Sequence, residues 1–215
     1  SNVSIVSNNT TNTLAKAGDE ITLTFTASET INEPVVTFQS GSSSITDSSV
    51  TYTNTSGNTW TAKYTANASD TDGSVSFSIA FTDGSNAGTD VTTGSGSVIF
   101  DNTLPTVSSF TTTTSSGSYN QAEEIVITAN TTESVQSGNT ITVTLDTSDT
   151  VLLSAASTGT TLVGTYTVGA DDTSAGLTVS SFTIGTVADT AGNAMTSTTL
   201  PSAGSIFGSK TIIID

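Results

Sequence analysis

The chain has 215 residues, which is enough for two domains of about 100 residues each. It carries 19 acidic residues against three lysines and no arginine, so its formal net charge is −16. This charge repels nucleic acids and anionic lipid surfaces, so we expect neither as a partner and expect cations to bind instead.

Residues that most enzymes use for catalysis are missing. Without histidine and cysteine, the chain cannot form a Ser-His-Asp site, a reactive thiolate, a disulfide or a common zinc site. Glu123 and Glu124 are neighbours that point to opposite faces of a predicted strand, unlike the facing carboxylates of a glycosidase. We therefore expect a non-enzymatic protein. No run of about 18 apolar residues and no signal-peptide pattern is present, so we expect a mature fragment without membrane insertion.

Alternation with period two runs through the first hundred residues. In ITLTFTAS (21–28), TWTAKYTA (59–66) and SVSFSIAF (74–81), apolar and polar residues alternate, which predicts strands with one buried face. Shorter strands are expected at 3–6, 35–39, 49–53 and 97–101. The aromatic residues on inward phases, which we expect in the core, are Phe25, Trp60, Tyr64, Phe77 and Phe81. Seven short strands separated by turn residues are typical of a two-sheet β-sandwich.

The second half of the chain repeats the first. GDEITLTFTASETI (18–31) aligns with AEEIVITANTTESV (122–135), and YTANASDTDG (64–73) aligns with YTVGADDTSA (166–175). An ordered internal repeat of this kind indicates two copies of one structural unit. We therefore predict an all-β protein of two tandem immunoglobulin-like antiparallel β-sandwiches. The predicted bounds are 1–101 for the first sandwich, 102–106 for a linker, and 107–215 for the second.

The second half also resembles a known group of repeats. The relevant stretches are SGSYNQAEEIVIT (116–128), YTVGADDTSAGL (166–177), VADTAGNA (187–194) and GSKTIIID (208–215). They resemble the bacterial and archaeal immunoglobulin-like tandem repeats of large surface adhesins and surface-layer proteins. The resemblance implies an extracellular, cell-surface spacer or lattice module, often with calcium at domain junctions. The chain departs from the usual pattern at Glu123 and Glu124, which replace a Gly-Asp pair.

Acidic residues concentrate at the predicted ends of the sandwiches. If the strands follow the immunoglobulin order, two acidic ends meet at the linker near Asp101 and Asn102. Clustered carboxylates repel unless a cation screens them, and Ca²⁺ accepts carboxylate, amide and carbonyl oxygens. We expect Ca²⁺ here, with Pro105 stiffening the linker. The expected ligands are Asp19, Glu20, Asp70, Asp72, Asp101 and Asn102 of the first domain, and Glu133, Asp189 and Asn193 of the second.

Two further acidic groups lie at the other predicted ends. A second calcium cluster is considered at Glu123, Glu124, Asp171, Asp172 and Asp215. The far end of the first domain collects Glu29, Glu33, Asp83 and Asp90. An alternative explanation covers all these residues, because Asp and Asn side chains cap backbone N–H groups in turns and acids protect sheet edges. The sequence leaves calcium ligation and turn capping open.

Surface features suggest two other roles. Glycosylation is predicted, if the source glycosylates its surface proteins, at the Asn-x-Ser/Thr sequons of Asn2, Asn8, Asn9, Asn54, Asn67 and Asn130. A glycan- or receptor-binding adhesin domain is the alternative function, and Tyr52 and Tyr119 are the aromatic residues whose burial the pattern does not decide. The expected partners are calcium ions and neighbouring repeats or identical subunits in a surface array.

Overall fold

The computed structural model describes residues 2–84, 86–205 and 207–215. The chain divides into two compact units, Ser1–Thr103 and Leu104–Asp215, and each has its own hydrophobic core. Both units are built from β-strands, which confirms the all-β prediction. Among the described residues, helical structure is confined to one 3-10 turn at Ala203–Ser205, and no helix there is long and apolar enough to cross a membrane.

The first unit is a sandwich of two main sheets. One sheet has the order β1-β3-β7-β6 and the other has the order β2-β11-β8-β4-β5, while β9 and β10 form a separate small hairpin. The strands are β1 Val3–Ser7, β2 Leu14–Ala15, β3 Glu20–Thr26, β4 Val35–Ser40, β5 Ser43–Ser44, β6 Thr51–Ser56, β7 Thr59–Thr65, β8 Gly73–Ala80, β9 Thr82–Asp83, β10 Asn86–Ala87 and β11 Ile99–Phe100.

Alternation in the sequence becomes alternation of burial in the first unit. In β3, Ile21, Leu23 and Phe25 are buried while the intervening threonines are only partly covered. The rings of Phe38 and Tyr64 meet in the core with their centroids 4.7 Å apart. The hydrophobic effect acting on one face of each strand therefore fixes the register, because a shift by one residue would expose the whole set.

Two predicted core residues of the first unit are only half-buried. Trp60 lies in the core, whereas Phe77 and Phe81 pack against its edge. Phe77 belongs to β8 and Phe81 follows this strand, which is paired with β4 along one edge and only partly paired along the other. This strand pairs with β11 only at its first residues and afterwards through one bridge between Ile79 and Val91.

The second unit has one six-stranded sheet that folds over on itself and a separate two-stranded sheet of β13 and β19. The order of the six-stranded sheet is β12-β14-β17-β16-β15-β18, but β16 and β17 share one residue pair, Ser154 with Val163. Phe110 of β12 and Phe182 of β18 lie in edge-to-face contact at 5.9 Å, so the two ends of the sheet enclose one core. The strands are β12 Val107–Thr111, β13 Gly117–Tyr119, β14 Glu124–Val135, β15 Thr140–Leu145, β16 Thr150–Ser154, β17 Gly159–Thr167, β18 Val179–Thr186 and β19 Ile212–Ile214.

Each unit also contains one parallel strand pair that the alternation does not predict. In the first unit β2 pairs with β11, and in the second β13 pairs with β19. The reason is the same in both units: the chain leaves the sheet of its first strand and then joins the last strand of the unit.

Candidate functional site

Asp19 caps the turn before β3. Its Oδ2 accepts hydrogen bonds from the backbone N–H of Lys16 at 2.8 Å and from the side-chain amide of Asn9 at 2.7 Å. Its Oδ1 pairs with the Lys16 ammonium at 3.2 Å. Burial alone would raise the pKa of Asp19, but these hydrogen bonds outweigh it and hold the pKa below its usual range. Asp19 therefore acts as a turn cap.

Glu123 occupies the equivalent turn of the second unit. It accepts the backbone N–H of Asn120, three residues earlier, at 2.6 Å. The surrounding backbone bonds also repeat, because Val168 donates to the carbonyl of Glu123 as Ala66 does to that of Asp19. One predicted ligand from each cluster thus has the same capping role in both units.

A second carboxylate turn is also repeated. Asp70 accepts the backbone N–H of Asn67 at 2.9 Å, and Asp172 accepts that of Gly169 at 2.5 Å. The remaining partners differ. The backbone N–H and hydroxyl of Thr46 both donate to Asp70 at 2.8 Å, whereas Asp172 accepts the Tyr166 hydroxyl at 2.5 Å.

The hydroxyl groups of Tyr64 and Tyr166, one in each unit, differ in their hydrogen-bond partners. Tyr166 donates to Asp172, and burial together with this bond raises its pKa. The hydroxyl of Tyr64 is buried and has no hydrogen-bond partner among the described residues. Burial raises the pKa of Tyr64 as well, and nearby Asp70 adds to the effect. In the first unit Thr46 donates to the carboxylate of Asp70, whereas in the second unit Tyr166 donates to the carboxylate of Asp172.

Asp149, which the sequence analysis did not select, joins Asp172 in the second unit. The two carboxyl groups lie within hydrogen-bond reach, and this contact raises the pKa of Asp149. The pKa of Asp172 is lowered, chiefly because the Tyr166 hydroxyl donates to it. Asp149 contacts Asp172 as Thr46 contacts Asp70 in the first unit, but the repeated stretches of the sequence include neither Thr46 nor Asp149.

Asp72 holds the segment with which the first unit ends. Its Oδ1 accepts the backbone N–H of Asn102 at 2.8 Å, and its Oδ2 accepts the hydroxyl of Thr103 at 2.7 Å. The side-chain amide of Asn102 donates to the carbonyl of Ala68 at 3.2 Å, and Asp101 accepts the N–H of Thr103 at 3.0 Å. We call this set of bonds around Asp72 the clasp. Of the predicted ligands, Asp72 and Asn102 are in direct contact here, and Asp101 bonds the same segment.

Asp189 and Asn193 form a closed loop in the second unit. Both are buried, and Asn193 donates its backbone N–H and its side-chain amide to the two carboxylate oxygens at 2.9 Å. The carbonyl of Asp189 accepts the side chain of Gln136 at 2.8 Å. Glu133, the third predicted ligand here, is partly buried and engaged in contacts of its own.

Other predicted ligands are dispersed. Glu20 pairs with Lys63 at 2.7 Å, and Glu124, Asp171 and Asp215 are exposed. Asp47 and Asp146, which belong to neither predicted ligand group, cap backbone N–H groups. Asp47 accepts the N–H of Thr65 at 2.9 Å, and Asp146 accepts that of Thr178 at 2.9 Å. Hydrogen bonds from Thr65 and Ser49 hold the pKa of Asp47 below its usual range. Turn capping is thus the role of Asp47 and Asp146, whereas Glu20 is held in an ion pair.

The clasp is the part of this arrangement whose residue types match those that bind calcium. Across the described residues, no group of three or more acidic side chains is close enough to hold a metal ion. Asp72, Asp101 and Asn102 share the clasp, and together they offer five side-chain oxygens, somewhat fewer than the roughly six to eight that Ca²⁺ takes. These residues therefore fit a weak site completed by water or carbonyls. The predicted nine-ligand set stays a prediction.

The asparagines of the predicted glycosylation sites differ in exposure. Asn2, Asn8, Asn54 and Asn67 are exposed, whereas Asn9 and Asn130 are partly buried and donate their amides within the fold. Tyr52 and Tyr119 are half-buried. The Tyr52 hydroxyl bonds the backbone of Val36, and that of Tyr119 bonds the carbonyl of Ser115.

Comparisons with known proteins add little to this picture. No family model matches the chain, and no curated protein matches it. Among solved structures, fibronectin(III)-like modules of Clostridium thermocellum CbhA match over 98% of this chain and 93% of theirs. The identity is 12% and the TM-score is 0.30, so the fold assignment rests on the strands and cores described above.

Proposed function

We propose that the chain is a non-enzymatic structural module of a large microbial cell-surface protein, either a spacer in an adhesin stalk or a repeat of a surface layer. The clasp is the observation that carries this proposal. Asp72 bonds two successive residues, Asn102 and Thr103, at the point where the first unit ends. A spacer needs a chain that leaves its folded unit in a fixed direction, and these bonds supply it.

The test removes the clasp without disturbing the core. Asp72→Ala deletes both bonds, and we expect the Asn102 amide to exchange its hydrogen about fivefold faster, which corresponds to about 1 kcal/mol for an exposed charged hydrogen bond. Small-angle scattering should show a broader distribution of dimensions. Asp47→Ala is the matched control, since Asp47 also caps two backbone N–H groups but lies away from residues 101–103.

Two results would contradict the spacer proposal. If Asp72→Ala leaves both the exchange rate and the scattering curve unchanged, the clasp does not hold the segment. If Asp47→Ala broadens the dimensions equally, the effect comes from loosening of the first unit in general.

Calcium binding at the clasp is a separate part of the proposal. The two carboxylate oxygens of Asp72 each accept a hydrogen bond within the clasp, and a carboxylate oxygen has a second lone pair that can bind a cation. A site with few charged ligands is expected to bind Ca²⁺ weakly, with a dissociation constant on the order of 0.1–1 mM, as in extracellular modules. Isothermal titration after chelation tests this. Absence of heat, with an unchanged melting temperature, would remove calcium and leave the clasp experiment unaffected.

A further inference from the structure

An apolar pocket opens at the end of the first unit that lies away from the clasp. Its floor is formed by core residues, among them Val3, Phe25 and Ile79, and its walls include Ile31, Phe81 and Val91. The cavity volume is about 70 Å³. This is room for several water-sized groups and therefore for the end of an aliphatic side chain, but not for a sugar ring.

The walls of the pocket are fixed by hydrogen bonds. The segment between β3 and β4 is tied to β9, because the Asn32 side chain donates to the Thr82 hydroxyl at 2.9 Å. On the other side, Val91 and Ile79 exchange two backbone bonds of 3.1 and 2.9 Å. Gly88 lies so close to the Phe81 ring that a Cβ there would approach it to 2.2 Å. A pocket with walls held in this way loses little entropy when it is filled.

Charge around the pocket defines what can fill it. Glu29 lies on its rim, and within the described ranges its carboxylate makes no hydrogen bond or ion pair. Glu33 lies in the same segment between β3 and β4, Asp83 lies in β9, and Asp90 follows β10. Both lysines of this unit are engaged elsewhere, with Asp19 and with Glu20. A second copy of a chain with a net charge of −16 is repelled, whereas a cationic partner is attracted.

We propose that this pocket binds an aliphatic side chain of a partner protein, presented by an extended segment in which lysine or arginine flanks that side chain. The aliphatic group enters the cavity and displaces water, and the flanking cation pairs with Glu29. The pocket is thus an interaction site at the end of the first unit away from the clasp, and it is independent of the spacer function of the clasp.

The experiment titrates the full ¹⁵N-labelled chain with three acetylated and amidated tripeptides, Lys-Leu-Lys, Lys-Gly-Lys and Glu-Leu-Glu. Lys-Leu-Lys is expected to shift the amide signals of Ile31, Phe81 and Val91 with a dissociation constant on the order of 1 mM. Lys-Gly-Lys lacks the group that fills the cavity and should bind at least about tenfold more weakly. Glu-Leu-Glu should not shift these signals, because its charges are repelled.

Variants separate the cavity from the charge. Ala27→Leu fills the pocket and should reduce affinity at least about tenfold, whereas Glu29→Gln should reduce it about two- to fivefold, as expected for an exposed ion pair. Glu124→Gln makes the same charge change on an exposed residue of the second unit and should have no effect. Equal binding of Lys-Gly-Lys, or unchanged affinity of both Ala27→Leu and Glu29→Gln, would overturn the proposal.

Discussion

Replacing Asp149 with threonine is expected to stabilise the second unit at neutral pH. Asp149 and Asp172 bring two carboxyl groups within hydrogen-bond reach. Two charges about 4 Å apart interact by about 1 kcal/mol in water and about 4 kcal/mol where solvent is partly excluded. Because this turn is open to solvent, the lower figure applies. Threonine would copy the first unit, where the hydroxyl of Thr46 donates to Asp70.

The same pair predicts an unusual dependence on pH. The pKa of Asp149 is raised, so the folded unit binds this proton more tightly than the unfolded chain does. Stability should therefore rise as the pH falls from neutral through the raised pKa of Asp149 toward the unfolded value of 3.8. The pKa of Asp172 is lowered, so its contribution is present above 3.8 and is lost as the pH falls through that lowered pKa. The second unit should thus be most stable at mildly acidic pH.

Differential scanning calorimetry of the full chain measures both effects. Trp60 is the single tryptophan and lies in the first unit, so its fluorescence identifies the unfolding transition of that unit. The remaining calorimetric transition is then assigned to the second unit. Asp149→Thr should raise the melting temperature of the second unit by about 4 °C at pH 7. It should also abolish the rise in melting temperature that the parent chain shows when the pH is lowered to about 4.5. An unchanged or lower transition in the variant, with no gain in the parent chain, would refute the reasoning.

Further predictions concern hydroxyls and one glycine. Tyr166→Phe should cost the second unit about 1–2 kcal/mol because it removes the bond to Asp172, whereas Tyr64→Phe should be neutral or stabilising, since its hydroxyl is buried without a partner in the described structure. Urea denaturation compares them, and equal losses would contradict this assignment. Gly41→Ala should cost the first unit about 2–3 kcal/mol, because φ is +54° and a Cβ would lie 2.4 Å from the Asp72 carbonyl. An unchanged denaturation midpoint would disprove that steric argument.

The strands and core were predictable because one physical rule governs them. Apolar side chains that alternate along a strand must share a face, so the burial of Ile21, Leu23 and Phe25 followed directly from their spacing. The short strands β2 and β5 were not predictable in this way. Two residues carry no period, and they pair only because neighbouring strands bring them to a sheet edge.

The carboxylates show where sequence reasoning ends. Asp72 contacts Asn102 in the clasp, but a carboxylate that caps a turn has the same sequence pattern as one that binds calcium. The two roles differ in the partner of each carboxylate oxygen, which is an N–H or O–H group in a turn cap and a cation in a calcium site. For the same reason Asp149 was missed, since its nearness to Asp172 depends on how two distant turns pack.

The parallel pairing of β13 with β19 affects how the second unit bears tension. When the two ends of this unit are pulled apart, parallel neighbours slide past one another along their length. All the hydrogen bonds between Gly117–Tyr119 and Ile212–Ile214 then bear the load together instead of breaking one after another. The pairing of β2 with β11 has the same geometry. Under such a load, each unit would meet its mechanical resistance in these few residues.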